Sequence, residues 1–95
     1  MKISILLPYK ENFSANYAGA VSIFVRDITI NSNYFKTTNV YGNTLFKKTF
    51  LKNNYVNIPL KKNFLKSRSK IYVEEFLKKE NIFNSDIIEV HNRTN

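Results

Sequence analysis

The apolar positions change period along the chain. Ile3, Ile5, Leu6 and Leu7 make a short run, rich in β-branched residues and closed by Pro8. Such a run fits a strand buried on both faces of a parallel sheet. Residues 9–17 are polar, with Asn12, Ser14 and Asn16, and read as a loop. From Ala18 the spacing becomes helical: Tyr17, Val21, Phe24, Val25 and Ile28 recur at three and four residues and define one face. Polar residues 31–36 break that pattern. Residues 37–41, with Val40 and Tyr41 apolar, predict a second strand, which Gly42 and Asn43 end as a turn.

The middle of the chain is less regular. Over residues 44–54, Leu45, Phe46, Phe50 and Leu51 mix with Lys47, Lys48 and Lys52, a pattern open to a short helix or a surface loop. Residues 55–58 predict a short third strand stopped by Pro59, and 60–66 are basic, with Phe64 and Leu65 available as anchors. Residues 67–81 predict a second helix with Tyr72, Val73, Phe76 and Leu77 on one face. On the other face, Glu74 precedes Lys78 and Glu75 precedes Lys79 by four residues, pairs worth a few tenths of a kcal/mol each. Asn81 suits a left-handed stop. Asn84 and Ser85 then turn the chain into a last strand, 86–91, with Ile87, Ile88 and Val90 apolar. This alternation predicts an α/β fold: a partial Rossmann-like domain with a three- to four-stranded parallel sheet and flanking helices.

At 95 residues there is room for one small domain, and at 43% hydrophobic residues there is material for a core. A formal charge of +8 favours an anionic partner, although the bias to Lys, Asn, Ile and Phe resembles that of an A+T-rich genome and explains part of it. With no cysteine, disulfides and thiolate metal sites are excluded; one histidine is too little for a metal-ligand spacing, and neither a metal nor a cofactor is expected. The first apolar run stops at Pro8, too early for a secretory signal, and no run approaches the ~20 residues that span a bilayer. The expected location is cytoplasmic.

Two places carry candidate chemistry. Gly19 stands where the first helix begins. There it lets the backbone approach a ligand, and the free N–H groups of the first turn favour an anion; equally, it lets helix and strand pack closely. No G-x-G-x-x-G accompanies it. His91, Asn92 and Arg93 follow the last strand, where open parallel sheets bind ligands. Histidine can move a proton near neutral pH, arginine can grip a phosphate, and asparagine can orient a hydroxyl. The plainer alternative is a solvated loop. A basic stretch from Phe46 to Lys70 interleaves Phe46, Phe50, Tyr55 and Phe64 with eight Lys or Arg residues. It is either a patch for anionic lipid headgroups or nucleic acid, or a solvated surface around aromatic anchors; no nucleic-acid motif accompanies it.

The opening Lys2-Ile3-Ser4-Ile5-Leu6-Leu7-Pro8, then Tyr17-Ala18-Gly19-Ala20-Val21, and the closing Asp86-Ile87-Ile88-Glu89-Val90-His91-Asn92-Arg93 resemble the N-terminal half-domain of family 4 glycosyltransferases. The resemblance runs through essentially all of residues 1–95, and its closing run is the most specific part. It implies the GT-B fold, with two Rossmann-like domains facing a cleft, of which this would be part of the acceptor side. It implies a nucleotide-sugar donor, a sugar or lipid-linked acceptor, a place in cell-surface polysaccharide or lipopolysaccharide synthesis, and peripheral contact with an anionic inner membrane. No nucleic-acid partner follows from it. By the same resemblance His91 matches a cleft histidine near the transferred sugar and is the catalytic candidate. Gly19 matches a first-loop glycine near sugar or phosphates, and Asn92 and Arg93 match the run beside the histidine. Ala18 stands where the family often has a second glycine, and Thr94 where it has a proline. The donor half is absent from these residues, so the expectation is a truncated or split gene or one part of a longer chain, inactive in transfer by itself. The alternatives are a small basic module binding anionic membrane or nucleic acid, and a fragment without function.

Overall fold

The computed structural model describes residues 1–60 and 67–92. Four strands form one all-parallel sheet: β1 (Ile3–Leu6), β2 (Thr38–Gly42), β3 (Tyr55–Asn57) and β4 (Ile87–Val90), in the order β3-β2-β1-β4. Helix α1 (Ala20–Ile30) joins β1 to β2, and α2 (Arg68–Phe83) precedes β4. The fold is α/β and partly Rossmann-like, as the alternation predicts.

The alternation of side chains along the central strands builds two cores. Ile5 and its register partner Val40 face one way, packed with Leu7, Phe13 and Val25 of α1. Leu6 and its partner Tyr41 face the other way, packed with Ile58 and with Tyr72 and Phe76 of α2. β1 is flanked on both sides and covered on both faces, which is why a run of mixed apolar residues serves as a strand there.

Residues 44–54, open to helix or loop by sequence, hold no helix. Leu51 takes a left-handed backbone (φ 50°), and the Phe50 N–H donates to the Phe13 carbonyl (2.9 Å). Phe50 meets the Phe13 ring edge-on at 5.4 Å, so this connection is pinned to the α1-side core by its aromatics instead of by a helical stripe.

Several sequence expectations are corrected. α1 begins after Gly19, its N-cap, as expected, but Tyr17 is left-handed (φ 55°) and lies outside the helical face assigned to it. Its buried residues are Ser22, Val25 and Thr29, while Phe24 and Ile28 are exposed. α2 buries Ile71, Tyr72, Phe76 and Glu80, leaving Val73 and Leu77 exposed. It also runs past Asn81 to Phe83, and Asn84 takes the left-handed cap (φ 53°, ψ 61°). The extension is tied down at its far end: the Asn84 N–H donates to the Glu80 carbonyl (2.7 Å), and the Lys2 ammonium donates to the Phe83 carbonyl (3.1 Å). Glu75 pairs with Lys78 at 3.0 Å, three residues on, instead of with Lys79. Finally, β4 is present and parallel but is not buried: Ile87, Ile88 and Val90 are 42%, 46% and 57% exposed. Among the described residues its one neighbouring strand is β1, and both helices place their buried side chains over β1 and β2.

Candidate functional site

The order β3-β2-β1-β4 reverses direction at β1. Successive strands step outward from β1 to β3, and the chain then returns to place β4 on the other side of β1. At such a switch point the loops leaving the two neighbouring strands diverge and open a crevice beyond their carboxyl ends. A groove of about 490 Å³ lies there. Leu7, Pro8, Tyr9 and Lys10 form one wall, leaving β1; Val90, His91 and Asn92 form another, leaving β4. Ser69, Tyr72 and Val73 of α2 complete it.

Each wall has a local cause. The His91 N–H donates to the Leu6 carbonyl (3.0 Å), extending the β1–β4 ladder by one bond and fixing the start of the exit loop. The Tyr72 hydroxyl donates to the Leu7 carbonyl (2.7 Å), satisfying a backbone group just past the end of β1. Burial pushes the Tyr72 phenol well above its ordinary pKa, with the nearby Tyr55 adding to the shift, so it stays a protonated donor. The Tyr9 ring packs on Tyr72 at 5.6 Å, and the Lys10 ammonium lies over the Tyr9 ring at 5.6 Å. The groove therefore combines an aromatic wall, the Lys10 ammonium and polar groups from Ser69, His91 and Asn92. That mixture suits a hydroxyl-bearing or anionic small molecule.

His91 and Asn92 are thus brought together at the groove, as their position after the last strand predicts. The imidazole lies beside Phe24 of α1 (ring centroids 6.2 Å apart), and its Nε2 is buried 3.7 Å from Glu89 Oε2, with no hydrogen-bond partner among the described residues. Arg93 lies outside the described residues, as do Lys61, Lys62, Phe64, Leu65 and Lys66 of the basic stretch.

Gly19 is placed differently. Its N–H donates to Glu11 Oε2 (3.0 Å), and the Ser22 hydroxyl donates to the same oxygen (2.7 Å). The anion at this helix start is the chain's own buried carboxylate, 4% exposed. A Cβ on Gly19 would stand 2.5 Å from Glu11 Oε2, so the glycine makes room for Glu11. Glu11 belongs to the loop that leaves β1 at the carboxyl end of the sheet, yet the fold turns it inward under α1.

Tyr9, Lys10, Ser69 and Tyr72 did not stand out in the sequence. Tyr9 and Lys10 directly follow the first strand, so the rule that parallel sheets bind ligands at strand ends was signal enough to find them. Ser69 and Tyr72 depend on where α2 crosses the sheet, for which the sequence carries no mark.

No protein-family model, no curated protein and no solved structure matches the chain. Among the described residues there is no group of three or more potential metal ligands, and no helix is long and apolar enough to cross a membrane.

Proposed function

We propose that the chain is part of the acceptor-side domain of a glycosyltransferase of the GT-B type, and that the groove between the ends of β1 and β4 takes the hydroxyl-bearing ligand. The observation that carries this reading is the groove itself. It lies at the switch point of a parallel sheet, and it is bordered by the His91-Asn92 pair that the family resemblance singles out. Lys10 supplies positive charge at the same place for a phosphate or a developing negative charge. The exposed apolar side chains of β4 also suit a strand with a further neighbour in a longer protein, which would carry the nucleotide-sugar pocket. In that protein the contribution of this part is orientation of the acceptor against the donor.

Two measurements test the reading. Titration of the chain with hexoses and with a nucleoside diphosphate hexose, followed by backbone amide shifts, should move Tyr9, Lys10, His91 and Asn92 together. Saturable shifts confined to other loops, or none, would remove the groove. In a longer form that carries the donor half, His91→Ala should lower turnover by more than about tenfold; an unchanged rate would take His91 out of the mechanism.

A further inference from the structure

Glu89 and His91 form a pair that the groove itself does not explain. Glu89 is the register partner of Ile5, and the His91 N–H donates to the Leu6 carbonyl, so the strand geometry of β4 continues through residue 91. Side chains two residues apart in a strand share a face, and Ile5 packs with Val25 of α1, so Glu89 and His91 both stand on the α1 side of the sheet. There the imidazole meets the Phe24 ring, with the two planes 64° apart. Its Nε2 is shut off from water, and the polar atom beside it is Glu89 Oε2, at 3.7 Å. The Glu89 side chain is 44% exposed and that of His91 24%, so the carboxylate is the freer of the two to turn.

A buried imidazole nitrogen is stable only with a partner. A bare Nε2 would set its lone pair against an ionised carboxylate, which can only accept. With a proton on Nε2, a small turn of the Glu89 side chain closes the gap to a charge-assisted hydrogen bond. A neutral imidazole holds one proton, so Nδ1 is then the bare nitrogen. We propose that Glu89 is the positioning residue of His91: its carboxylate holds the ring as the Nε2–H tautomer and leaves Nδ1 as the proton acceptor. Such a nitrogen recognises a ligand through a group that donates, a hydroxyl, and rejects carbonyl and ionised phosphate oxygens, which only accept. The tautomer stands on the geometry of the pair; its use toward an acceptor hydroxyl rests on the sugar-transfer reading.

His91 is the one histidine of the chain, so its ring signals carry no ambiguity. The test is a long-range proton–nitrogen correlation spectrum of the full, isotope-labelled chain at about pH 8.5, above the ordinary imidazole value of about 6.5. It should show the proton on Nε2 and a bare Nδ1. Glu89→Leu, of similar bulk but with no acceptor, should lower the ratio of the Nε2–H to the Nδ1–H form by about fivefold or more. Glu89→Gln, whose amide oxygen still accepts, should keep most of the wild-type ratio; a side chain that only filled space would give one ratio in all three. A proton on Nδ1 in the wild type, or equal ratios in wild type and Glu89→Leu, would overturn the proposal. Should Glu89→Leu fail to fold by circular dichroism, the wild-type and Glu89→Gln spectra decide it. These spectra need no ligand, so they are separate from the sugar-transfer reading: a hexose titration that moves no groove amide removes that reading and leaves the tautomer as found.

Discussion

Glu11 and Gly19 show how much one carboxylate can decide. A helix start with free N–H groups attracts an anion, and in this chain a buried side chain supplies it, holding both the Gly19 N–H and the Ser22 hydroxyl. Gly19→Ala should therefore destabilise the fold by about 1–3 kcal/mol, because the new methyl group would displace a packed and hydrogen-bonded carboxylate. The check is urea unfolding of Gly19→Ala, Glu11→Ala and the double variant. The costs should be less than additive, and full additivity would show that Glu11 is not what the methyl group strikes. Glu80 is a second such residue. It accepts from the Ser4 hydroxyl (2.5 Å) and from the Ser85 N–H (2.8 Å) and hydroxyl, joining α2 to β1 and to the turn before β4. Burial pushes its carboxyl up, but the hydrogen bonds from Ser4 and Ser85, with the charge of Lys2, outweigh that and hold it below its ordinary value. Since the unfolded chain then binds the proton more tightly, the contribution of Glu80 is present in full above the ordinary glutamate pKa, about 4.3, and is lost as pH falls through the lower folded value. Thermal unfolding followed from neutral pH downward should fall off more steeply in wild type than in Glu80→Gln; identical slopes would contradict this.

At the scale of elements, both helices are turned from the face their apolar spacing suggests, although Val25, Tyr72 and Phe76 stay inside, and each has its own reason. The eleven residues of α1 are mostly apolar, so a small rotation from the stripe read by spacing still leaves apolar side chains inside, and Ser22 and Thr29 are buried while Phe24 and Ile28 are not. In α2 the polar Glu80 is drawn inside by Ser4 and Ser85, which rotates Leu77 outward and Ile71 inward. Phe76, edge-on to Tyr41 at 5.1 Å, is the anchor of that face. Phe76→Ala should cost about 3–5 kcal/mol, and Leu77→Ala, two neighbours on one stripe by sequence, less than about 1 kcal/mol. Denaturation midpoints of the two variants decide it, and comparable losses would mean that the sequence-predicted face is the one that packs.

For the whole molecule, the strand and helix order, the parallel sheet and the place of His91 and Asn92 were legible from local pattern, because period, Pro, Gly and Asn mark element type and limits within a few residues. The groove was legible only on its strand-end side: a sheet of this kind opens beyond its carboxyl ends, so Tyr9, Lys10, His91 and Asn92 follow from order alone. The remaining wall, Ser69 and Tyr72, required the crossing of α2. The inward turn of Glu11, the helix faces and the exposure of β4 likewise depended on contacts between residues far apart in the chain. The sequence alone therefore determined which segments become strands and helices, since these follow from short-range sterics and spacing. Tertiary structure decided which face each one buries and which carboxylates go inside, since a buried polar group is stable only where distant partners satisfy its hydrogen bonds.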